Sequence, residues 1–145
     1  MLDTLLLAGA ETNRSFALGV VLDVENPAQA AIDAIAPVTV VPIEDGPPAS
    51  GSTGWLVQVD NKNVMISHMG FVEQTGSDRG WGLAFHLLET SGHAARCRLR
   101  LFRNPTWARQ VNFQGDTIVD LTIENDAALI DLTPYELARV EIALG

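Results

Sequence analysis

Segments in which apolar and polar residues alternate recur along this chain, and they constrain its fold more than any other feature of the sequence. An apolar residue at every second position is typical of a β-strand that buries one face. In the first such segment, the residues that share one face are Phe16, Leu18, Val20, Leu22 and Val24. Trp55, Val57 and Val59 share a face in the same way. Alternation and β-branched or aromatic content predict further strands at 63–69, 82–89, 95–102, 107–113, 117–124, 128–132 and 136–144.

Turn-forming residues separate these segments. Clusters that contain Gly, Pro, Asn, Asp or Ser occur at 60–63, 75–78, 91–92, 104–105, 114–116 and 124–126. These residue types favour the backbone conformations of tight turns. Many short strands at regular spacing therefore predict an all-β fold, an antiparallel β-sandwich. A length of 145 residues is suited to one such domain.

One stretch is typical of a helix instead. Asn26 is suited to cap its first turn, Pro27 is suited to lie in that turn, and Pro37 ends it. The sequence thus predicts a helix over 28–36. We expect it to be a short crossing segment over one edge of the sandwich.

The run at 44–54 is rich in Pro, Gly and Ser and is the one linker-like segment of the sequence. Such a composition does not build a core. We interpret 1–145 as a single β-sandwich domain in which 44–54 is a long loop. The alternative is a seam at which the strands of 1–43 belong to a larger assembly.

The charge balance argues against two classes of partner. The chain has 9 Lys and Arg residues against 18 Asp and Glu residues, a formal net charge of −9. General binding to nucleic acid or to anionic lipid requires a positive surface, so neither nucleic acid nor a membrane is an expected partner. No apolar run reaches the roughly 20 residues of a membrane span. The N-terminus opens with Asp3 and lacks a basic region, so we predict a soluble chain without a signal peptide, in a compartment that the sequence does not specify.

A row of arginines lies on one predicted strand. Arg96, Arg98 and Arg100 alternate with apolar residues, so the three guanidinium groups share a face. They would form either an anion site or the solvent face of a sheet whose neighbouring strands supply carboxylates. Asp120 and Glu124 are the carboxylates that the sequence offers for the second interpretation, which we favour.

The sequence contains few of the patterns that carry catalytic chemistry. It has no Gly-x-Ser-x-Gly motif and no glycine-rich phosphate loop. The lone cysteine, Cys97, lies on the apolar side of its strand, where we expect an inert thiol. The three histidines, His68, His86 and His93, include no His-x-His pair, so we predict no metal site in this chain.

The tryptophans are the remaining candidates for ligand contact, because indole rings suit ligands that are part apolar and part polar. Trp81 lies between two glycines beside a polar turn and is the one we expect to be exposed. Trp55 shares a face with two valines, so we expect it in the core, and Trp107 is undecided.

Three motifs follow one another in the second part of the chain. Residues 55–67 read WLVQVDNKNVMIS, residues 82–92 read GLAFHLLETSG, and residues 130–142 read IDLTPYELARVEI, with the arginine-rich strand before the last. Their order resembles the C-terminal β-sandwich of glycoside hydrolase family 38, the α-mannosidases. That region has a strand ending in Asp-Asn-x-Asn-Val, a strand ending in Glu before a Gly turn, and a final Leu-x-Pro-x-Glu-Ile strand. The resemblance covers about 52–145.

The resemblance implies a sandwich of the galactose-mutarotase or glycosidase C-terminal type, without a reaction centre. In that family the zinc ligands and the aspartate nucleophile belong to a separate N-terminal barrel, whose motifs do not occur here. We therefore expect no catalytic residue and no cofactor in this chain, and zinc in the catalytic domain that it lacks. The chain departs from the family at His86, where an arginine is usual.

The sequence leaves three functions open. The first is a non-catalytic sandwich that supports carbohydrate hydrolysis by a glycosidase catalytic domain or another subunit. The second is a stand-alone carbohydrate-binding module, and the third a structural or interaction module. The candidate carbohydrate contacts are Trp81, His86, Asp60, Asn61 and Asn63. For the last three the competing interpretation is that Asp and Asn side chains cap their own turn.

Overall fold

The computed structural model describes Thr12, Ser15, 18–36, Val40, Pro42, Gly46, 54–73 and 81–144. It consists of two compact units, Met1–Thr39 and Val40–Gly145. The first contains α1, Pro27–Ile35. The strands of the second are β1 Val57–Val59, β2 Val64–Glu73, β3 Trp81–Glu89, β4 Ala95–Leu101, β5 Pro105–Val111, β6 Thr117–Asp120, β7 Ile123–Glu124, β8 Ala127–Leu132 and β9 Leu137–Leu144. No helix in the described ranges is long and apolar enough to span a bilayer.

The predicted helix is confirmed, with its bounds shifted by one residue. Asn26 caps it, because the Asn26 side chain accepts a hydrogen bond from the Gln29 backbone N–H at 3.2 Å. Pro27 begins the first turn, and the Ala36 N–H closes the last by donating to the Ile32 carbonyl at 2.7 Å. Pro37 and most of the 44–54 run lie outside the described residues. The crossing position of the helix and the single domain over 1–145 stay predictions.

The first predicted strand is wrong over its described part, 18–24. That stretch forms no strand, and Leu18, Val20 and Leu22 are 75%, 87% and 79% exposed. An alternating segment becomes a strand only where a neighbour accepts its hydrogen bonds and covers its apolar face. Asp23 also has a left-handed φ of 54°, which interrupts an extended run.

The second unit is a sandwich of two antiparallel sheets, as the sequence predicts. In the described residues the four-stranded sheet has the order β1-β4-β8-β7 and the five-stranded sheet the order β2-β3-β9-β5-β6. One cluster of buried residues draws on both sheets, so the core lies between them. Its members are Val64, Leu83, Phe85, Leu87, Cys97, Leu99, Leu101, Ala108, Ala128, Ile130, Leu132, Ala138, Val140 and Ile142.

Strand alternation decides which side chains enter this core. Cys97 and Leu99 of β4 are 1% and 0% exposed, whereas the arginines that alternate with them, Arg96, Arg98 and Arg100, lie on the outward face. Burial raises the pKa of the Cys97 thiol to about 12. The thiol is therefore protonated at neutral pH and is not a nucleophile, as expected.

The predicted strand 117–124 is two strands in different sheets. β6 pairs with β5 in the five-stranded sheet, whereas β7 pairs with β8 in the four-stranded sheet. The chain crosses between the sheets at Leu121 and Thr122. The Leu121 N–H donates to the Ala108 carbonyl at 2.8 Å, and the Thr122 carbonyl accepts from Leu129 at 2.9 Å.

Candidate functional site

The predicted carbohydrate contacts lie at separate places on the second unit. Trp81 begins β3 and pairs with Glu73, and its side chain is outside the described part. The turn at 60–63 lies at the other end of β3, where Thr90 donates to the Asn63 carbonyl. Nine residues of β3 place these ends about 26 Å apart. His86 lies between them, so the structure does not bring the five residues into one site.

The turn at 60–63 uses its side chains to bind backbone. Asp60 Oδ1 accepts a hydrogen bond from the Arg98 N–H at 2.7 Å. Asn61 Oδ1 accepts from the Asn63 N–H at 3.0 Å, and Asn61 Nδ2 donates to the Arg96 carbonyl at 3.2 Å. These bonds fix the turn against β4, as Asx turns do. Carbohydrate contact by Asp60, Asn61 or Asn63 stays a prediction.

A fully buried carboxylate, Glu89, holds the adjacent loops together. Its oxygens accept hydrogen bonds from the N–H groups of Ser91 at 2.9 Å, Gly92 at 2.7 Å and Tyr135 at 3.1 Å, and from the Ser91 hydroxyl. Burial opposes ionisation of Glu89, but these four donors outweigh it and lower its pKa to about 2. The ionised carboxylate is therefore a structural clamp between the loop after β3 and the loop before β9.

A second carboxylate closes the loop before β9. Glu136 Oε2 accepts from the Thr133 N–H at 2.7 Å and from the Thr133 hydroxyl at 2.8 Å. The Glu136 carbonyl accepts from the Glu89 N–H at 3.0 Å. The turn at 60–63, the Glu89 loop and the 133–136 loop therefore meet at one end of the sandwich. These are parts of the three motifs on which the family resemblance rests.

Gly92 is the tightest glycine at this end. Its φ is +75°, and a methyl group built on it would lie 2.6 Å from Tyr135 Cζ. Gly115, in the β5–β6 turn, has a φ of +98° with no atom within 4 Å of that methyl position. Both positions favour glycine for backbone reasons, but only Gly92 also needs the space.

We expect Gly115→Ala to cost about 1 kcal/mol of unfolding free energy and the matched Gly92→Ala more than that, because an L-residue at positive φ is strained in both. Only Gly92→Ala must also move the Tyr135 ring, which is exposed and can turn aside, so we expect the excess to be below about 1 kcal/mol. Urea denaturation measures both. In the Tyr135→Ala background the two alanine variants should cost the same, since the ring is gone. An unchanged difference in that background would contradict the role of Tyr135.

A polar cluster lies on the outward face of the five-stranded sheet. We define the outward polar cluster as His68, His86, Arg109, Arg139 and Glu141. Glu141 is 3% exposed and is its centre. Glu141 Oε2 accepts from Arg109 Nη2 at 2.8 Å and Nε at 3.1 Å, and Oε1 accepts from Arg139 Nη2 at 3.0 Å. The carboxylate therefore bridges two guanidinium groups through charge-assisted hydrogen bonds.

The histidines of the cluster lie beside Arg139. His86 is the cross-strand neighbour of both His68 and Arg139. Burial lowers the pKa of His86, and the nearby His68 and Arg139 lower it further. His86 is therefore neutral at neutral pH. Phe113, from the β5–β6 turn, contacts its ring edge-on with centroids 5.4 Å apart.

The tryptophans are only partly as predicted. Trp55, expected in the core, is 51% exposed and lies before β1 rather than within a strand. Its ring lies 5.6 Å from the Arg100 guanidinium carbon. Trp107, left undecided, is half-buried under Arg109, whose guanidinium carbon is 4.7 Å from the ring.

The arginine row of β4 is the solvent face of a sheet, with different carboxylates from those expected. Arg96 binds Asp131 of β8 through two hydrogen bonds, at 2.6 and 2.8 Å, and Arg100 binds Asp126. Each bond lowers the pKa of its carboxylate. Asp120 belongs to the other sheet, and Glu124 is two strands away from β4, so neither forms these pairs.

In the described residues the two fully buried carboxylates, Glu89 and Glu141, are both engaged by donors within the chain. No three His, Cys, Asp or Glu side chains of those residues are grouped as metal ligands. A scan against models of known protein families finds no match for the sequence, and a search of curated proteins finds none either.

Sequence reasoning missed the outward polar cluster, although one signal was present. Arg139 and Glu141 alternate with buried Val140 and Ile142, which places both charges on one face of β9. The register that sets Glu141 opposite Arg109, and Arg139 opposite His86, joins strands far apart in sequence. Alternation within one strand does not reveal that register.

Proposed function

We propose that this chain is the non-catalytic C-terminal β-sandwich of an α-mannosidase-like glycoside hydrolase, where it supports carbohydrate hydrolysis by a catalytic domain on another stretch of protein or another subunit. The observation that carries the proposal is the meeting of the three motif segments at one end of the sandwich. Segments that are distant in sequence share the Glu89 clamp and the Thr90–Asn63 hydrogen bonds. Because the three motifs together hold one end of the sandwich in place, they support a common origin of this sandwich and the C-terminal sandwich of family 38.

The hydrogen bonding of the two fully buried carboxylates, Glu89 and Glu141, supports a non-catalytic role. Glycoside hydrolysis uses two carboxyl groups about 5–10 Å apart that exchange protons or attack the sugar. Glu89 is held ionised by backbone donors, and both oxygens of Glu141 accept hydrogen bonds from guanidinium groups. Neither carboxylate is available as an acid or a nucleophile without dismantling its network, so a reaction centre would come from the partner domain.

An activity assay tests this proposal. We expect the purified chain with added zinc to leave an aryl α-mannoside unhydrolysed, with a family 38 enzyme as the positive control. Turnover that follows the chain through purification would overturn the non-catalytic assignment. The partner claim is tested by sedimentation with the polypeptide encoded beside this chain, where we expect a complex. If the chain sediments alone, the proposed accessory role is wrong.

A stand-alone carbohydrate-binding module is the second candidate, favoured by the half-exposed indole of Trp55. The Arg100 guanidinium lies beside it, and Arg100 Nη1 is in turn 3.5 Å from Gln58 Oε1. An indole flanked by polar groups suits a sugar face. For this candidate, mannose oligosaccharides should change the tryptophan fluorescence of the chain but not of Trp55→Phe. A signal that is unchanged at millimolar sugar would exclude binding at Trp55.

A further inference from the structure

Two histidines from neighbouring strands lie side by side on the outward polar cluster. His68 and His86 are directly paired in the β2–β3 register, with ring centroids 5.0 Å apart and ring planes inclined by 40°. Imidazoles that share a metal ion have centroids about 4.5–5.2 Å apart, because each nitrogen lies about 2.0 Å from the ion at bond angles of about 90–109°. We propose that His68 and His86 form a two-histidine site for a divalent transition-metal ion, whose remaining positions are filled by water.

One neighbour packs against the His86 ring, and another leaves space for the His68 ring. Phe113 contacts the His86 ring edge-on, with planes at 81°. His68 Nε2 lies 3.3 Å from the position that a methyl group on Gly70 would take, so the glycine leaves room for the ring beside the strand. Side chains that are already placed lose less conformational freedom when a ligand binds.

The residues around His68 and His86 determine which class of metal ion the site would bind. Arg139 lies beside His86 and repels cations, but its guanidinium group binds Glu141, which offsets part of that charge. Glu141 also binds Arg109, so its carboxylate is engaged by guanidinium groups and does not act as a metal ligand. A site of two imidazoles without a carboxylate disfavours Ca²⁺ and Mg²⁺, which prefer oxygen ligands. It favours Ni²⁺, Cu²⁺ and Zn²⁺.

A bound ion would join the outermost strand of the five-stranded sheet to its neighbour. β2 is an edge strand, and its register with β3 shifts between Ile66 and His68. At this irregularity the Ser67 hydroxyl donates to the His86 carbonyl at 3.3 Å. An ion across His68 and His86 would tie β2 down just after the shift and stabilise the native state. This inference does not depend on the proposed glycosidase role.

Calorimetric titration of the full chain with NiCl₂ at neutral pH tests the site. We expect one ion per chain and a micromolar dissociation constant. His68→Gln and His86→Gln should each weaken binding about tenfold or more, since loss of a ligand exceeds the loss of a group that only orients one. His93→Gln is the matched control, because His93 lies exposed in the β3–β4 turn and should leave the affinity unchanged. Circular dichroism verifies that each variant is folded.

Two further measurements keep the proposal open to refutation. Gly70→Ala retains both histidines but displaces the His68 ring, so we expect weaker Ni²⁺ binding from a chain whose ligands are intact. With Zn²⁺, nuclear magnetic resonance should show shifts of the ring nitrogens of His68 and His86 and none of those of His93. No saturable binding at millimolar Ni²⁺, or binding that survives both histidine variants, would overturn the site.

Discussion

Glu89→Gln is expected to lower the melting temperature of the chain by about 10 °C at neutral pH, because an amide replaces an ionised acceptor of four hydrogen bonds. The amide brings two N–H groups into a site whose partners are themselves donors. Thermal denaturation followed by circular dichroism measures the effect. Glu124→Gln, at an exposed carboxylate of β7, is the control and should leave the melting temperature nearly unchanged.

The same substitution should flatten the acid limb of the stability profile. The folded-state pKa of Glu89 is lowered from 4.5 to about 2, so its contribution to stability is complete above pH 4.5 and is lost as the pH falls towards 2. Wild-type urea midpoints should fall over that range more steeply than those of Glu89→Gln. Equal slopes would mean that the carboxylate is not the clamp that we describe.

Glu141→Gln should cost about 2–3 kcal/mol of unfolding free energy, because it leaves two guanidinium groups without their shared carboxylate. This loss of unfolding free energy is smaller than is usual when a buried ion pair is broken, because the Arg109 and Arg139 side chains are 35% and 26% exposed and retain access to water. Urea denaturation at neutral pH measures the change.

The Arg96–Asp131 pair of the other sheet supplies the control for Glu141. The Arg96 and Asp131 side chains are 70% and 69% exposed, and exposed ion pairs contribute little to stability because water screens them. Asp131→Asn should therefore leave the urea midpoint almost unchanged. Equal effects of the two substitutions would contradict the burial-dependent role of Glu141.

The sandwich was predictable because its signals are local. The alternation of Cys97, Leu99 and Leu101 places their side chains inside before any partner strand is known. The Asn26 cap and Pro27 define the start of α1 in the same way. The turn residues at 60–63 and 91–92 also lie between strands, as the sequence predicts.

What was missed depends on contacts between distant segments. Leu18, Val20 and Leu22 alternate like a strand yet stay exposed, because alternation does not supply a neighbour. The run at 117–124 reads as one strand, although its two ends belong to different sheets. The pairing of His68 with His86 follows from the register and is invisible to a search for His-x-His. The candidate site was therefore less predictable than the fold.

The central place of β9 has a consequence for how this chain is made. β9 follows all the other described strands in the sequence and so leaves the ribosome after them, yet it lies between β3 and β5 and pairs with both. Until it emerges, those two strands have no common neighbour, and the apolar faces of β3 and β5 stay open to other molecules. The larger sheet can therefore close only once β9 has been made, and the nascent chain is exposed to aggregation until then.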